Sequence, residues 1–295
     1  MRLIGSAPQL LLVAGLTALQ VGDSVSEAAE PLPSPPLSRA NRPRVVSGDV
    51  LAQVPRGRQP GVLQAAREPS NDEIGIHAFQ FTRAIYTGYG RRGWGGRSWA
   101  VDYPKADRQF LFNLVRMTNI DAYQLENPVR LDDPELRKFP FLYVLEVGFM
   151  ALTPPEVEGL RNYLLAGGFL FVDDFWGDRE WFNFEREIRQ VLPEFSIQEL
   201  SLDHPAFSAF YEIDSIIQVP NVGNGVRGSQ THENGGITPH VRAIFDDNDR
   251  LMVLINWNTD LGDAWEWADN PYYPLKYSNF AWQLAINFII YSMSH

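Results

Sequence analysis

Two uninterrupted apolar runs, FPFLYVLEVGF from Phe139 and GFLFVDD from Gly168, constrain this chain more than any other feature. A run without alternation marks a strand covered on both faces, and such strands belong to parallel sheets. Between the runs lies TPPEVEGLRNYLLAGG, which carries nearly every local helix signal. Thr153 is placed as N-cap, Pro154 falls in the first turn and Glu156 stands three residues past the cap. Val157, Leu160 and Leu164 form one stripe, and glycines close the segment. Strand, helix and strand in this order need a crossover, which is right-handed in nearly all sheets. The pattern predicts an α/β fold: a three-layer sandwich with a mainly parallel central sheet and helices on both faces.

The flanking segments extend the same alternation. IHAFQFTRAIY alternates apolar and polar residues, so a strand is expected within Ile76 to Ile85 with Arg83 near its end. TGYGRRGWGGRSW reads as a glycine-rich loop, Pro104 opens a helix bearing Phe110, Leu111, Leu114 and Val115, and a short strand is expected around Ala122 to Leu125. After GFLFVDD, Trp181, Phe184, Ile188, Val191 and Leu192 recur as the inner stripe of a helix beginning near Arg179. VRAIFDDNDRLMVLINW reads as strand, tight turn and strand. The last helix, Ser278 to Met293, is apolar over most of its circumference and is expected to pack deep against the sheet.

The first residues carry one Arg, an apolar segment centred on Leu10 to Leu19 and then small residues, the pattern of a cleavable signal peptide over residues 1–28. That segment is short of the ~20 residues that span a bilayer. Residues 29–71 are dense in Pro, Arg, Ser and Gly, a composition expected of a disordered Pro-rich linker, and residues 72–295 are expected to form a single α/β domain. The chain is thus expected to be exported, periplasmic or extracellular, with no membrane span in the mature part. A formal charge of −11 argues against sequence-independent nucleic-acid binding. The lack of any cysteine excludes disulfides, thiolate zinc sites and thiol nucleophiles.

Ligands of open parallel sheets collect beyond the carboxyl ends of the strands, where loops converge and helix N-termini point outward. The order of elements sends Asp173 and Asp174 to that rim, together with Arg83, Glu146, Asp203, His204, Asn256, Asn258 and Asp260. Trp99, Asp102 and Trp176 join them as expected ligand-binding residues. Catalytic candidates are Asp173, Asp174, His204 and Glu146, and a divalent metal, if held, is assigned to Asp173, Asp174 and His204. Each has a plainer role beside it. The aspartates can cap the next helix, which Asp178 would do better; His204 before Pro205 can serve a turn, and Arg83 can neutralise a carboxylate. No G-x-S-x-G elbow, H-E-x-x-H pair or Walker sequence occurs.

The series FQFTRAIY, W-x-x-D-Y-P-x-A-D, FPFLYVLEVG, LRNYLLAGGFLFVDDFWG, DHPAFSAFY and the late WN-x-D resembles the bacterial domain-of-unknown-function family 4159, from Ile74 to Met293. The resemblance implies a flavodoxin-like fold of the class I glutamine-amidotransferase-like group. GGFLFVDD is similar to the glycine-rich strand of the trehalose-utilisation-type proteins in that group. By this resemblance Asp173 and Asp174 occupy the turn where true amidotransferases carry their nucleophilic cysteine, so cysteine-dependent amidotransferase activity is not implied. Membrane attachment or secretion is common in the family, in keeping with the leader.

Three functions are compatible with these residues. The first is a binding domain holding a polar ligand, such as a saccharide or another cell-envelope component, at the rim. The second is a metal- or carboxylate-dependent hydrolase using the same residues. The third is a protein-interaction scaffold with a degenerate site.

Overall fold

The computed structural model describes residues 79–89 and 98–295. The expected signal peptide, the linker and most of the glycine-rich loop lie outside the described residues. Seven strands form one sheet: β1 (Thr82–Ile85), β2 (Asn127–Arg130), β3 (Phe141–Leu145), β4 (Phe169–Asp173), β5 (Ile197–Glu199), β6 (His240–Phe245) and β7 (Leu251–Trp257). Their spatial order is β2-β1-β3-β4-β7-β6-β5. The pairs from β2 through β7 are parallel, and β6 is antiparallel to both β7 and β5. Among the described residues six α-helices accompany the sheet: α1 (Lys105–Met117), α2 (Pro154–Leu165), α3 (Gly177–Val191), α4 (Val222–Arg227), α5 (Leu261–Glu266) and α6 (Leu275–Ser294).

Strand alternation divides the core in two. Phe81, Tyr143, Phe171 and Leu254 pack with Phe110, Leu114, Trp265, Phe280 and Phe288 of α1, α5 and α6. Leu142, Val144, Leu170, Val172, Val253 and Ile255 pack on the opposite face with Leu160, Leu164, Phe184 and Ile188 of α2 and α3. The fold is a mixed α/β architecture with a mostly parallel sheet between helices, compatible with a three-layer sandwich. The two apolar runs of the sequence are β3 and β4, every residue of which is buried. Removing a ring such as that of Phe171 would cost about 3–5 kcal/mol.

The capping pattern at Thr153 is realised and reaches further than a cap. Glu156 Oε2 accepts from the Thr153 amide and hydroxyl, both at 2.8 Å, while Oε1 accepts from the Thr87 amide at 2.8 Å. One buried carboxylate thereby ties the exit of β1 to the start of α2. The second strand departs from expectation: Ala122 makes only an isolated bridge to Phe79, and β2 lies five residues on, over NPVR. Pro128 argues against a strand in a sheet interior, but β2 is an edge and pairs with β1 alone, where a missing N–H is tolerated. Among the described residues no helix is long and apolar enough to cross a membrane.

Candidate functional site

The carboxyl ends of β1, β3, β4 and β7 point to one edge of the sheet, and the loops leaving them enclose a cavity of about 190 Å³. Seven carboxylates line it, those of Asp102, Glu146, Asp174, Glu180, Glu233, Asp260 and Asp263, and no basic side chain does. One oxygen each from Asp102, Asp174 and Asp260 lie within 4.8 Å of one another, and so do oxygens of Asp102, Asp263 and Glu266. Asp102 belongs to both sets.

Local backbone geometry brings these groups together. Asp102, Glu146 and Asp174 have φ of +60°, +53° and +48°, a left-handed conformation that non-glycine residues seldom adopt. Asp174 Oδ1 accepts from the indole Nε1 of Trp176 at 2.9 Å, which fixes the carboxylate. Asp260 accepts from the Asp263 amide at 2.8 Å at the start of α5, and its own amide donates to Val219 O. Asp102 Oδ2 is buried with no hydrogen-bond partner. A Cβ on Gly262 would stand 2.5 Å from that oxygen and 2.9 Å from the Tyr143 hydroxyl, so only glycine allows the close approach.

Crowding shows in the electrostatics. Burial first, then the charges of Glu146 and Asp102, holds the Asp174 carboxyl well above the ordinary aspartate range. Asp260 is pushed well up by burial, then by Asp174 and Asp263. Asp102 is raised by burial and Asp263 against the opposing pull of Arg83. The rim thus favours protons or another cation.

The other expected residues divide. Glu146 and Trp176 line the cavity with Asp102, Asp174 and Asp260. Asn258 lies beside it with φ +62°, its amide oxygen accepting from Gly177 N at 2.8 Å and its nitrogen donating to Thr238 O at 2.7 Å. Asn256 is fully buried and donates to Val172 O at 2.9 Å, within the sheet. Arg83 is also fully buried: Nε bonds Asp107 at 2.9 and 3.1 Å, and Nη1 donates to Trp99 O and Val101 O at 3.1 and 2.9 Å. Its donors are spent inside the fold, where it pins the segment that delivers Asp102. Trp99 contributes its carbonyl to that clamp and packs its ring 5.7 Å from Tyr103, away from the cavity lining.

Asp173 does not reach the cavity. It accepts from the Tyr143 hydroxyl at 2.8 Å and from the Leu261 and Gly262 amides at 3.2 and 2.9 Å, and burial pushes its carboxyl up to about 6. It therefore serves a helix N-terminus, as Asp commonly does, but that of α5 rather than of the following α3. Asp178 lies exposed in the first turn of α3 and makes no cap.

His204 is at the other end of the sheet. Its ring lies 5.7 Å from Phe245 and 5.2 Å from Tyr291, and Phe245 pairs with Leu251, where β7 begins. Its Nδ1 accepts from Ala206 N at 3.3 Å, so it serves the short 3-10 turn Pro205–Ser208, and burial and His295 lower its pKa. Asp203 stays on the exposed surface of the same loop. The expected metal set of Asp173, Asp174 and His204 is therefore not assembled, and Asp102, Asp174 and Asp260 are the oxygens that converge. Asp263, Glu180 and Glu233 escaped sequence reasoning. Asp263 is signalled by its place three residues after Asp260, whereas nothing in the sequence joins Glu233 to the rim.

Comparison with protein families matches residues 81–293 to the family described as Domain of unknown function (DUF4159). No curated protein matches the chain.

Proposed function

We propose, for a chain that belongs to the DUF4159 family, that the rim of its sheet is a binding site in which a divalent cation on Asp102, Asp174 and Asp260 presents coordination positions to a polar ligand. The observation that carries this reading is the convergence of three carboxylates, delivered by the loops after β1, β4 and β7, within 4.8 Å of one another and with no basic side chain in the lining. A cation with oxygen ligands at about 2.3–2.6 Å spans such separations, which favours calcium over the smaller, stricter magnesium. The cavity of about 190 Å³ has room for roughly six waters at about 30 Å³ each, enough for a partly hydrated ion and small beside the pockets of about 300–1,000 Å³ that hold larger organic ligands. Such a ligand would approach from outside and complete the coordination.

The finer fold and localisation readings agree with this one. The parallel strands β2-β1-β3-β4-β7 follow the 2-1-3-4-5 order of flavodoxin-like sheets, with β6 and β5 appended beyond β7. In that order the ligand crevice opens where successive connections leave the sheet on opposite faces, beside β1 and β3, from which Asp102 and Glu146 follow. An exported domain would meet calcium and saccharides of the cell envelope.

The test is titration of calcium, magnesium and manganese into the full chain by calorimetry. Saturable calcium binding that Asp174→Asn and Asp260→Asn each abolish is the expected result; no binding of any of the three ions removes the proposal. A second reading, metal-dependent hydrolysis, is favoured by the sharing of Asp102 between two carboxylate sets, since hydrolytic centres with two ions hold them about 3.5–4 Å apart. Two ions per chain, with turnover of a phosphoester such as p-nitrophenyl phosphate, would support it; a single ion without turnover would not.

A further inference from the structure

Beside the acidic cavity runs a wider groove of about 600 Å³, between α3 and the turn Val147–Phe149. The two spaces share Trp176, Glu180 and Asn234. The groove adds basic and further aromatic side chains that the cavity lacks. The groove takes Arg179, Phe182, Asn183 and Arg186 from α3, residues at the i, i+3, i+4 and i+7 spacing of one helix face. Arg186 is already balanced by Glu187, which it bonds at 3.0 Å through Nε. Arg179 is exposed and makes no ion pair among the described residues. It stands in the first turn of a 15-residue helix, between Asp178 and Glu180.

Two aromatic rings line the groove with this guanidinium and stand largely outside the core. Phe182 is 65% exposed and Tyr89 is 62% exposed, and both line the groove. The buried stripe of α3 is made by Phe184, Ile188 and Val191, and Phe182 lies outside it. Aromatic faces left in water suit a partner with one apolar and one hydrated side. The C–H face of a pyranose is such a partner, whereas a wholly apolar group would require an enclosed slot.

We infer that this groove binds a sugar ring bearing an oxyanion, a uronic acid or a sugar phosphate, with the oxyanion on Arg179 and the ring against Phe182 and Tyr89. The inference rests on the reading of the rim as a ligand site and names the class of ligand. The ring hydroxyls face the shared wall of Trp176 and Asn234, beyond which the cation lies. Carboxylate and phosphate both accept the paired donors of an arginine, so the two sources share one chemistry.

Calorimetry on the full chain with calcium present tests it, using glucuronate, glucose 6-phosphate, glucose and inorganic phosphate as separate probes. At least one of the first two is expected to bind, at least ten-fold more tightly than glucose and than inorganic phosphate. Arg179→Ala and Phe182→Ala are each expected to weaken that binding at least ten-fold while leaving calcium affinity and the unfolding midpoint unchanged, since both side chains are exposed. The inference is overturned if neither charged sugar binds, if phosphate alone binds as tightly as the sugar phosphate, or if Arg179→Ala binds as the parent does. Sugar binding without calcium binding would sustain the groove and defeat the cation site; the reverse outcome would do the opposite.

Discussion

Replacing Asp174 by Asn separates the cation site from ordinary folding carboxylates, because its effect on stability should change sign with calcium. Two ionised carboxylates 4.8 Å apart repel by roughly 3.5 kcal/mol at an effective dielectric constant of about 20. Three such pairs sum to roughly 10 kcal/mol, comparable with the whole stability of about 5–15 kcal/mol expected for a domain. The three groups therefore cannot all be ionised at neutral pH unless a cation is present; a proton stands in for it. In chelator at pH 7.5, Asp174→Asn removes two of the three repulsions and should stabilise the chain by about 1–3 kcal/mol, well below the full Coulomb sum because protonation has already relieved part of it. In calcium at about 1,000 times its dissociation constant, the parent gains about 4.1 kcal/mol and the variant gains little, so their order reverses. Thermal unfolding in both conditions reads the crossing, and calorimetry in buffers of different ionisation heat should find at least one proton released per calcium bound at pH 7. Equal destabilisation by the substitution in chelator and in calcium, or calcium binding without proton release, would refute the reasoning.

The same raised carboxyls set the dependence on pH. Asp173 rises from 3.8 to about 6, so in chelator it contributes stability that is complete below the unfolded value and lost as pH climbs through about 6, roughly 3 kcal/mol over that window. Stability measured by denaturant unfolding should accordingly fall between pH 4 and pH 7, the reverse of usual aspartate behaviour. Gly262→Ala should cost about 1–3 kcal/mol and weaken calcium binding, because its methyl displaces Asp102 Oδ2; an unchanged calcium affinity would disconnect Asp102 from the site. Arg83→Met should destabilise by about 3–5 kcal/mol by leaving Asp107 buried and unpaired, and Arg83→Met with Asp107→Asn should recover part of the loss in a denaturant titration. His204→Ala should leave calcium titrations unaltered and cost no more than about 1 kcal/mol, since its ring serves a turn at the far end of the sheet.

The layers of the fold were legible because burial writes itself directly into the sequence. β3 and β4 are covered on both faces and so carry unbroken apolar runs; α2 shows its cap, its stripe and its closing glycines in order. What escaped depends on neighbours that no local pattern encodes. The strand expected around Ala122 to Leu125 forms instead over NPVR, where the position at the sheet edge makes Pro128 harmless. His204 follows a strand whose end lies at the rim, but the chain turns back after Leu200, which bonds Val241 of β6, and carries it to the opposite end beside Phe245. Asp173 and Asp174 are adjacent and chemically identical, yet alternation sends the first into the layer of α1, α5 and α6, beneath the α5 amides, while the left-handed turn at the second swings it into the cavity. Arg83, expected at the rim as a ligand-binding residue, takes the plainer role also open to it and neutralises a carboxylate, because the acceptors that consume it lie on α1 and in the segment before it.

Backbone strain at the rim is a second reason, beside the convergence of carboxylates, to treat the acidic cavity as a site rather than as an accident of loop packing. Six non-glycine residues in the described structure have positive φ, and four of them, Asp102, Glu146, Asp174 and Asn234, line this one cavity. A left-handed residue other than glycine costs about 1–2 kcal/mol, and crowding carboxylates adds to that cost. Glycine at the same turns would relieve the backbone, and asparagine would relieve the charge, so a chain selected for stability alone has two inexpensive escapes at each position. Glu146 gains least from its conformation, since glutamate lacks the local side-chain bonding that eases asparagine into that region. Glu146→Gly in chelator should therefore be neutral or stabilising by up to about 1 kcal/mol, with calcium or ligand affinity reduced. A destabilised Glu146→Gly with affinity intact would mean that the carboxylate is needed for folding and that the strain belongs to the scaffold.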